Sequence, residues 1–88
     1  MSIEAKRFIQ QCALDRFKAE ELWIDPKNSF WGFFKENDKK LYVTEGYYIG
    51  NDIIFSSNLI EGEDINNTLE KLCETKRNEG FTCFAIEM

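Results

Sequence analysis

The chain has 88 residues, with 11 Lys and Arg against 16 Asp and Glu, no His, and a net charge of −5. Apolar residues make up 43 % and aromatics 15 %, enough for one core, so a disordered or fibrous chain is excluded and 1–88 reads as a single domain. The lack of His removes Ser-His-Asp and Cys-His catalysis and the commonest metal ligand.

Ser2 is placed to cap a first helix, and Ala5, Phe8, Ile9, Cys12, Ala13 and Phe17 recur at helical spacing. This periodicity predicts a helix from Ile3 to Glu21, stopped before Pro26. Leu22-Trp23-Ile24 fits either a short strand or a last turn packing down. Phe30 to Phe34 reads as a strand, Asn37-Asp38-Lys39 as a turn, and Leu41 to Ile49 as a second strand with a bulge expected at Gly46. After a turn at Gly50-Asn51-Asp52 comes a third strand, Ile53 to Ser57. Asp64 is the expected N-cap of a second helix with Ile65, Leu69, Leu72, Cys73 and Lys76 on one face, and Gly80 the C-cap candidate. Phe81 to Ile86, apolar on both faces, reads as an interior strand. The predicted fold is α+β, in the order α-β-β-β-α-β, an antiparallel sheet packed against two helices.

The three cysteines, Cys12, Cys73 and Cys83, match no zinc or redox spacing and read as buried thiols of a reducing compartment. Lys6 and Arg7 with no apolar run behind them argue against a signal peptide, and no stretch approaches a membrane span, so the expectation is a cytoplasmic protein. No Gly-rich phosphate loop occurs. Carboxylate pairs such as Glu45 and Asp52 are not singled out by spacing for acid-base work. The chain is expected to be a non-enzyme with no cofactor and no metal.

Charge is unevenly spread. Residues 1–40 carry eight bases and seven acids, residues 41–88 three bases and nine acids, and residues 41–70 contain no Lys or Arg. Glu45, Asp52, Glu61, Glu63 and Asp64 are therefore expected to form an anionic region. Such a region is either a solvated face or a surface for a cationic protein; nucleic acid would be repelled from it. Eight aromatics crowd into residues 23–48, and strand alternation sends Trp31 and Phe33 opposite to Phe30 and Phe34, and Tyr47 opposite to Tyr48. Helices on one side cannot cover them all. The far-face rings either stack across strands or form an exposed patch, for which Trp31, Tyr47 and Tyr48 are the expected partner anchors. Lys35, Lys39 and Lys40 interleave with Phe33, Phe34 and Tyr42 around one hairpin, which offers residues 35–42 as an alternative nucleic-acid contact.

Leu22-Trp23-Ile24-Asp25 after the first helix, and Asn67, Leu69 and Glu70 leading to Asn78-Glu79-Gly80-Phe81-Thr82-Cys83-Phe84-Ala85-Ile86 and Met88, resemble the immunity proteins that neutralise colicin-type tRNA-cleaving toxins. The likeness lies at the two ends of the chain; the middle, from Asn28 to Gly62, is outside it. The family pattern has Asn followed directly by Gly, where this chain inserts Glu79. The resemblance implies a cytoplasmic inhibitor that occupies the RNA cleft of a basic nuclease domain. Its contact residues vary among members, so none is carried over.

Together these readings give a non-enzymatic acidic inhibitor of a basic protein, first of all a nuclease toxin, acting as a monomer or weak dimer. Its expected contact residues are Trp31, Glu45, Tyr47, Tyr48, Asp52, Glu61, Glu63 and Asp64. A phage-encoded inhibitor of a host nuclease or defence complex shares the same size and acidity.

Overall fold

A computed structural model describes residues 3–25 and 27–84, the side chain of Phe84 excepted. The elements are α1 (Ile3–Asp15), β1 (Glu21–Ile24), β2 (Ser29–Asn37), β3 (Lys40–Ile49), β4 (Asp52–Glu61), α2 (Ile65–Asn78) and β5 (Thr82–Phe84). All strand pairs are antiparallel, in the spatial order β4-β3-β2-β1-β5. The α+β class is as expected, with one strand more: the segment around Leu22-Trp23-Ile24 is β1.

The first helix stops six residues before the predicted end. Its last turn closes through the Arg16 and Phe17 N–H groups, both donating to the Cys12 carbonyl, and Lys18 takes a left-handed φ of 46°. The Glu20 N–H then donates to the Phe33 carbonyl at 2.7 Å, which starts the pairing with β2. Residues 17–21 have adequate helix propensity, but extension buries Leu22 and Ile24 on one face and Trp23 on the other. That burial outweighs a propensity difference of a few tenths of a kcal/mol per residue.

The helices lie on opposite faces of the sheet. α1 brings Ile9 and Cys12 onto Leu22, Ile24, Phe30 and Ile53, while α2 brings Ile65 onto Trp23, Trp31, Phe33, Leu41 and Val43. Each set follows the period-two alternation of the strands. This is why aromatic residues occupy both faces of β2: Phe30 stacks with Phe17 on one side, and Trp31 meets Trp23 edge-on on the other.

The second helix matches its predicted signals. Asp64 accepts from the Asn67 N–H, and the far end closes with the Gly80 N–H donating to the Arg77 carbonyl and the Phe81 N–H to the Lys76 carbonyl. The left-handed φ of Gly80, 99°, permits this double closure. Two expectations are corrected. Gly46 pairs in register with Phe30 and Phe55, and the shift lies instead between Lys35 and Asn37. β5 is an edge strand beside β1 among the described residues, not an interior one; Ala85 and Ile86 of the predicted strand lie outside them. The predicted cap at Ser2 also lies outside them.

Candidate functional site

The two helices cover diagonally opposed parts of the sheet. α1 and its flanking residues reach Tyr48, Ile53 and Phe55, near the β3–β4 turn; α2 reaches Leu41, Val43 and Ile60, at the other end of the same two strands. Each face therefore keeps one bare corner. On the α2 face Tyr47, Ile49 and Ile54 are 46, 57 and 52 % exposed. On the α1 face Tyr42 and its cross-strand partner Leu59 are exposed next to Phe34, whose ring lies 6.4 Å from that of Tyr42. β4 joins the two corners and forms one edge of the sheet.

The α1-face corner borders a cleft of about 400 Å³ lined by Arg16, Lys18, Phe34, Tyr42, Thr44 and Ser57. At one side the Thr44 and Ser57 hydroxyls share a 2.6 Å hydrogen bond. On the other face a cleft of about 350 Å³ runs by Glu45, Tyr47, Lys76 and Phe81. There the half-buried Lys76 ammonium lies 3.7 Å from Glu45, 3.4 Å from Glu79 and 5.0 Å from the Phe81 ring centroid.

The expected acidic residues do not form one patch. Asp52 and Glu61 stand at opposite ends of β4, about 30 Å apart at the usual rise per residue. Glu45 lies between them on β3, opposite Ser56. Three of the acids have cationic neighbours within the chain: Asp52 with Arg16 at 3.2 Å, Glu45 with Lys76, and Glu63 with Lys39 at 3.9 Å. Asp64 is engaged as the helix cap. Glu45 and Asp52 sit about four residues apart along the sheet, too far for an acid-base pair. Asp52 titrates below the usual carboxylate range because it accepts from the Ile53 N–H and then from Arg16.

The expected anchors separate as well. Trp31 is only 1 % exposed and belongs to the core under α2, so it is not a surface anchor; a large ring at mid-strand was worth more as core than as contact. Tyr48 is half-buried with its ring 5.9 Å from Phe8 of α1. Tyr47 is at the surface. The surface residues that sequence reasoning passed over are Ile49, Ile54 and Leu59. Asn58-Leu59-Ile60 resumes the apolar pattern after Ser56-Ser57, the signal that the third strand of the prediction runs on to Glu61.

The basic side chains of the 35–42 hairpin are in part engaged, with Lys40 exposed and outside any ion pair among the described residues. Phe33 is buried, Lys35 is bound to Asn66 at 2.7 Å and Asp38 at 3.2 Å, and Lys39 is near Glu63. Cys12 is buried, Cys73 half-buried and Cys83 exposed. Desolvation and the hydrogen bond to Glu21 push the Cys83 thiol up to about 11, and desolvation raises Cys73, so neither is an activated nucleophile. Among the described residues no cluster of His, Cys, Asp or Glu is arranged to hold a metal, and no helix is long and apolar enough to cross a membrane. No family model, curated protein or solved structure matches the chain.

Proposed function

We propose that this chain is a non-enzymatic binding module that inhibits a basic protein by occupying its cleft. The observation that carries this reading is the outer half of the sheet. β4 and the adjoining part of β3 expose Tyr47, Ile49, Ile54 and Leu59 beside Glu45, Asp52 and Glu61; Lys76 and Arg16 stand by the first two acids, and Glu61 makes no ion pair among the described residues. Apolar anchors set among carboxylates suit a cationic protein surface, where the anchors supply affinity and the charges speed encounter. The likeness of the chain ends to immunity proteins makes a nuclease the first partner to try.

The test is affinity capture by the tagged chain from nuclease-treated lysate of its own source, eluted by stepped salt. The recovered protein is then assayed for RNA cleavage with and without added chain. A basic nuclease recovered near equimolar yield and blocked by the chain supports the proposal; a recovered protein whose activity is untouched contradicts it. A second reading, a small nucleic-acid-binding module, draws on the exposed Tyr42 ring and the half-buried Phe34 ring beside Lys18. Filter binding of single-stranded RNA separates the two.

A further inference from the structure

We propose that β4 is a docking edge on which an extended segment of a basic protein adds as a sixth strand. Such a segment sets apolar side chains beside Ile54 on one face and Leu59 on the other, with a cationic side chain near Glu61. The proposal rests on the protein-binding reading above and names how the partner is held and by what chemistry.

Edge strands present a row of free backbone donors and acceptors, and natural sheets guard them with Lys, Pro, bulges or short length. β4 has none of these guards. It is ten residues long, holds no Lys, Arg or Pro, and pairs with β3 without interruption from Lys40↔Glu61 to Ile49↔Asp52. The opposite edge, β5, spans only three described residues. The centre of β4 is Ser56-Ser57-Asn58, small and polar, so an incoming backbone meets no bulky side chain there. Ile54 and Leu59 lie on opposite faces, each in a corner that neither helix covers. An added strand extends the sheet past both corners at once, which no single-face contact does.

Charge selects the occupant. A second copy pairing in parallel sets Glu61 beside Glu61, which is repulsive, and antiparallel pairing sets Glu61 beside the charge-neutral Arg16–Asp52 pair, with no net attraction. A phosphate backbone is repelled by the same carboxylates. A strand with Lys or Arg at the Glu61 end complements that carboxylate, which makes no ion pair among the described residues, whereas Asp52 at the other end is already held by Arg16 at 3.2 Å.

The probe is a synthetic decapeptide of Thr with Val at its third and eighth positions, which point to opposite faces of a strand, and Lys at each end, and a control of the same sequence N-methylated at alternate residues. The full chain is followed by amide hydrogen exchange read residue by residue. The proposal expects the first peptide to slow exchange at alternate amides of β4 by at least about tenfold, and the N-methylated peptide to leave them unchanged. Ile54→Lys, a change at an exposed position, is expected to abolish the protection while circular dichroism is unchanged. Equal binding of both peptides that Glu61→Lys removes overturns strand addition while leaving the acidic-surface reading standing. Failure of both peptides to bind at millimolar concentration overturns strand addition; capture of a basic nuclease that the chain does not inhibit overturns the parent reading independently. A dimer that Ile54→Lys dissolves overturns the choice of occupant.

Discussion

Tyr47 and Ile54 face each other across β3 and β4, yet both are about half exposed, because the core under α2 gathers over Leu41, Val43 and Ile60 toward the other end of the same strands. Their counterpart on the opposite face is the pair Tyr42 and Leu59, beyond the reach of α1. A sheet sandwiched between two diagonally placed helices buries both aromatic faces of β2 and leaves β4 bare at both corners. That single arrangement explains why Trp31 is core and Ile54 is surface.

Trp31 is therefore expected to govern stability. Trp31→Ala removes a ring packed against Trp23 and Phe33 and costs about 3–5 kcal/mol. Against a total of about 4–13 kcal/mol for a chain of this length, such a variant is marginal or unfolded. Urea denaturation checks this. Tyr47→Ala, at the surface, is expected to stay within about 0.5 kcal/mol of the parent.

Asp64→Ala deletes the acceptor for the Asn67 N–H at the start of α2 and is expected to cost about 1 kcal/mol. For a domain of this size that lowers Tm by about 4–8 °C. Asp64→Asn retains the capping geometry and most of the stability. Charge reversal aimed at partner binding therefore belongs at Glu61 and Glu63, leaving Asp64 in place.

Gly46 is fixed by close approach. A Cβ there would lie 2.0 Å from the Ile54 carbonyl oxygen and 2.8 Å from Phe55 Cα, both backbone atoms of the paired strand. Gly46→Ala is expected to destabilise by at least about 1–3 kcal/mol and to loosen β4, seen as faster amide exchange from Ile54 to Ser57. Gly62→Ala meets open space and serves as the neutral comparison.

The carboxyl of Asp52 titrates low in the folded chain because it accepts from the Ile53 N–H and from Arg16. A depressed folded pKa contributes stability above the unfolded value, near 3.9, and loses it as pH falls through the folded value. Asp52→Asn is therefore expected to flatten the acid limb of a stability profile below about pH 4. The measurement is thermal unfolding of parent and variant across acid pH; identical acid limbs would remove Asp52 as a contributor.

With its thiol pushed up to about 11, Cys83 is expected to react with iodoacetamide at pH 8 about tenfold more slowly than a free cysteine, its scarcer thiolate being partly offset by greater nucleophilicity. Glu21→Gln removes the carboxylate charge beside it and speeds the reaction in part. Mass spectrometry of the alkylated peptides reads both rates.

Much of this fold is legible in the residues because local signals and burial agree. Asp64, the apolar stripe from Ile65 to Lys76, and Gly80 mark α2 from cap to closure, and the turns at Asn37–Lys40 and Ile49–Asp52 set the β2–β3–β4 meander. Reading failed where tertiary pairing opposed local preference. Residues 17–21 look helical, but the chain leaves the helix through the left-handed Lys18 and pairs with β2 from Glu20 onward. The site was legible in kind but not in place. The absence of bases from 41–70 is visible in the sequence, yet it is the extension of β4 over ten residues that sets Asp52 and Glu61 at opposite ends of one strand. The exposure of Ile54 and Leu59 depends on where two helices end over the sheet, which no pattern within β4 encodes.

The most direct measurement is the association rate of the chain with the basic nuclease it captures, for the parent and for Glu61→Lys, at about 25 mM and about 250 mM salt. Glu61→Lys is expected to slow association at least about tenfold at the lower salt, with a smaller difference at the higher. Equal rates for parent and variant at both salts would contradict it.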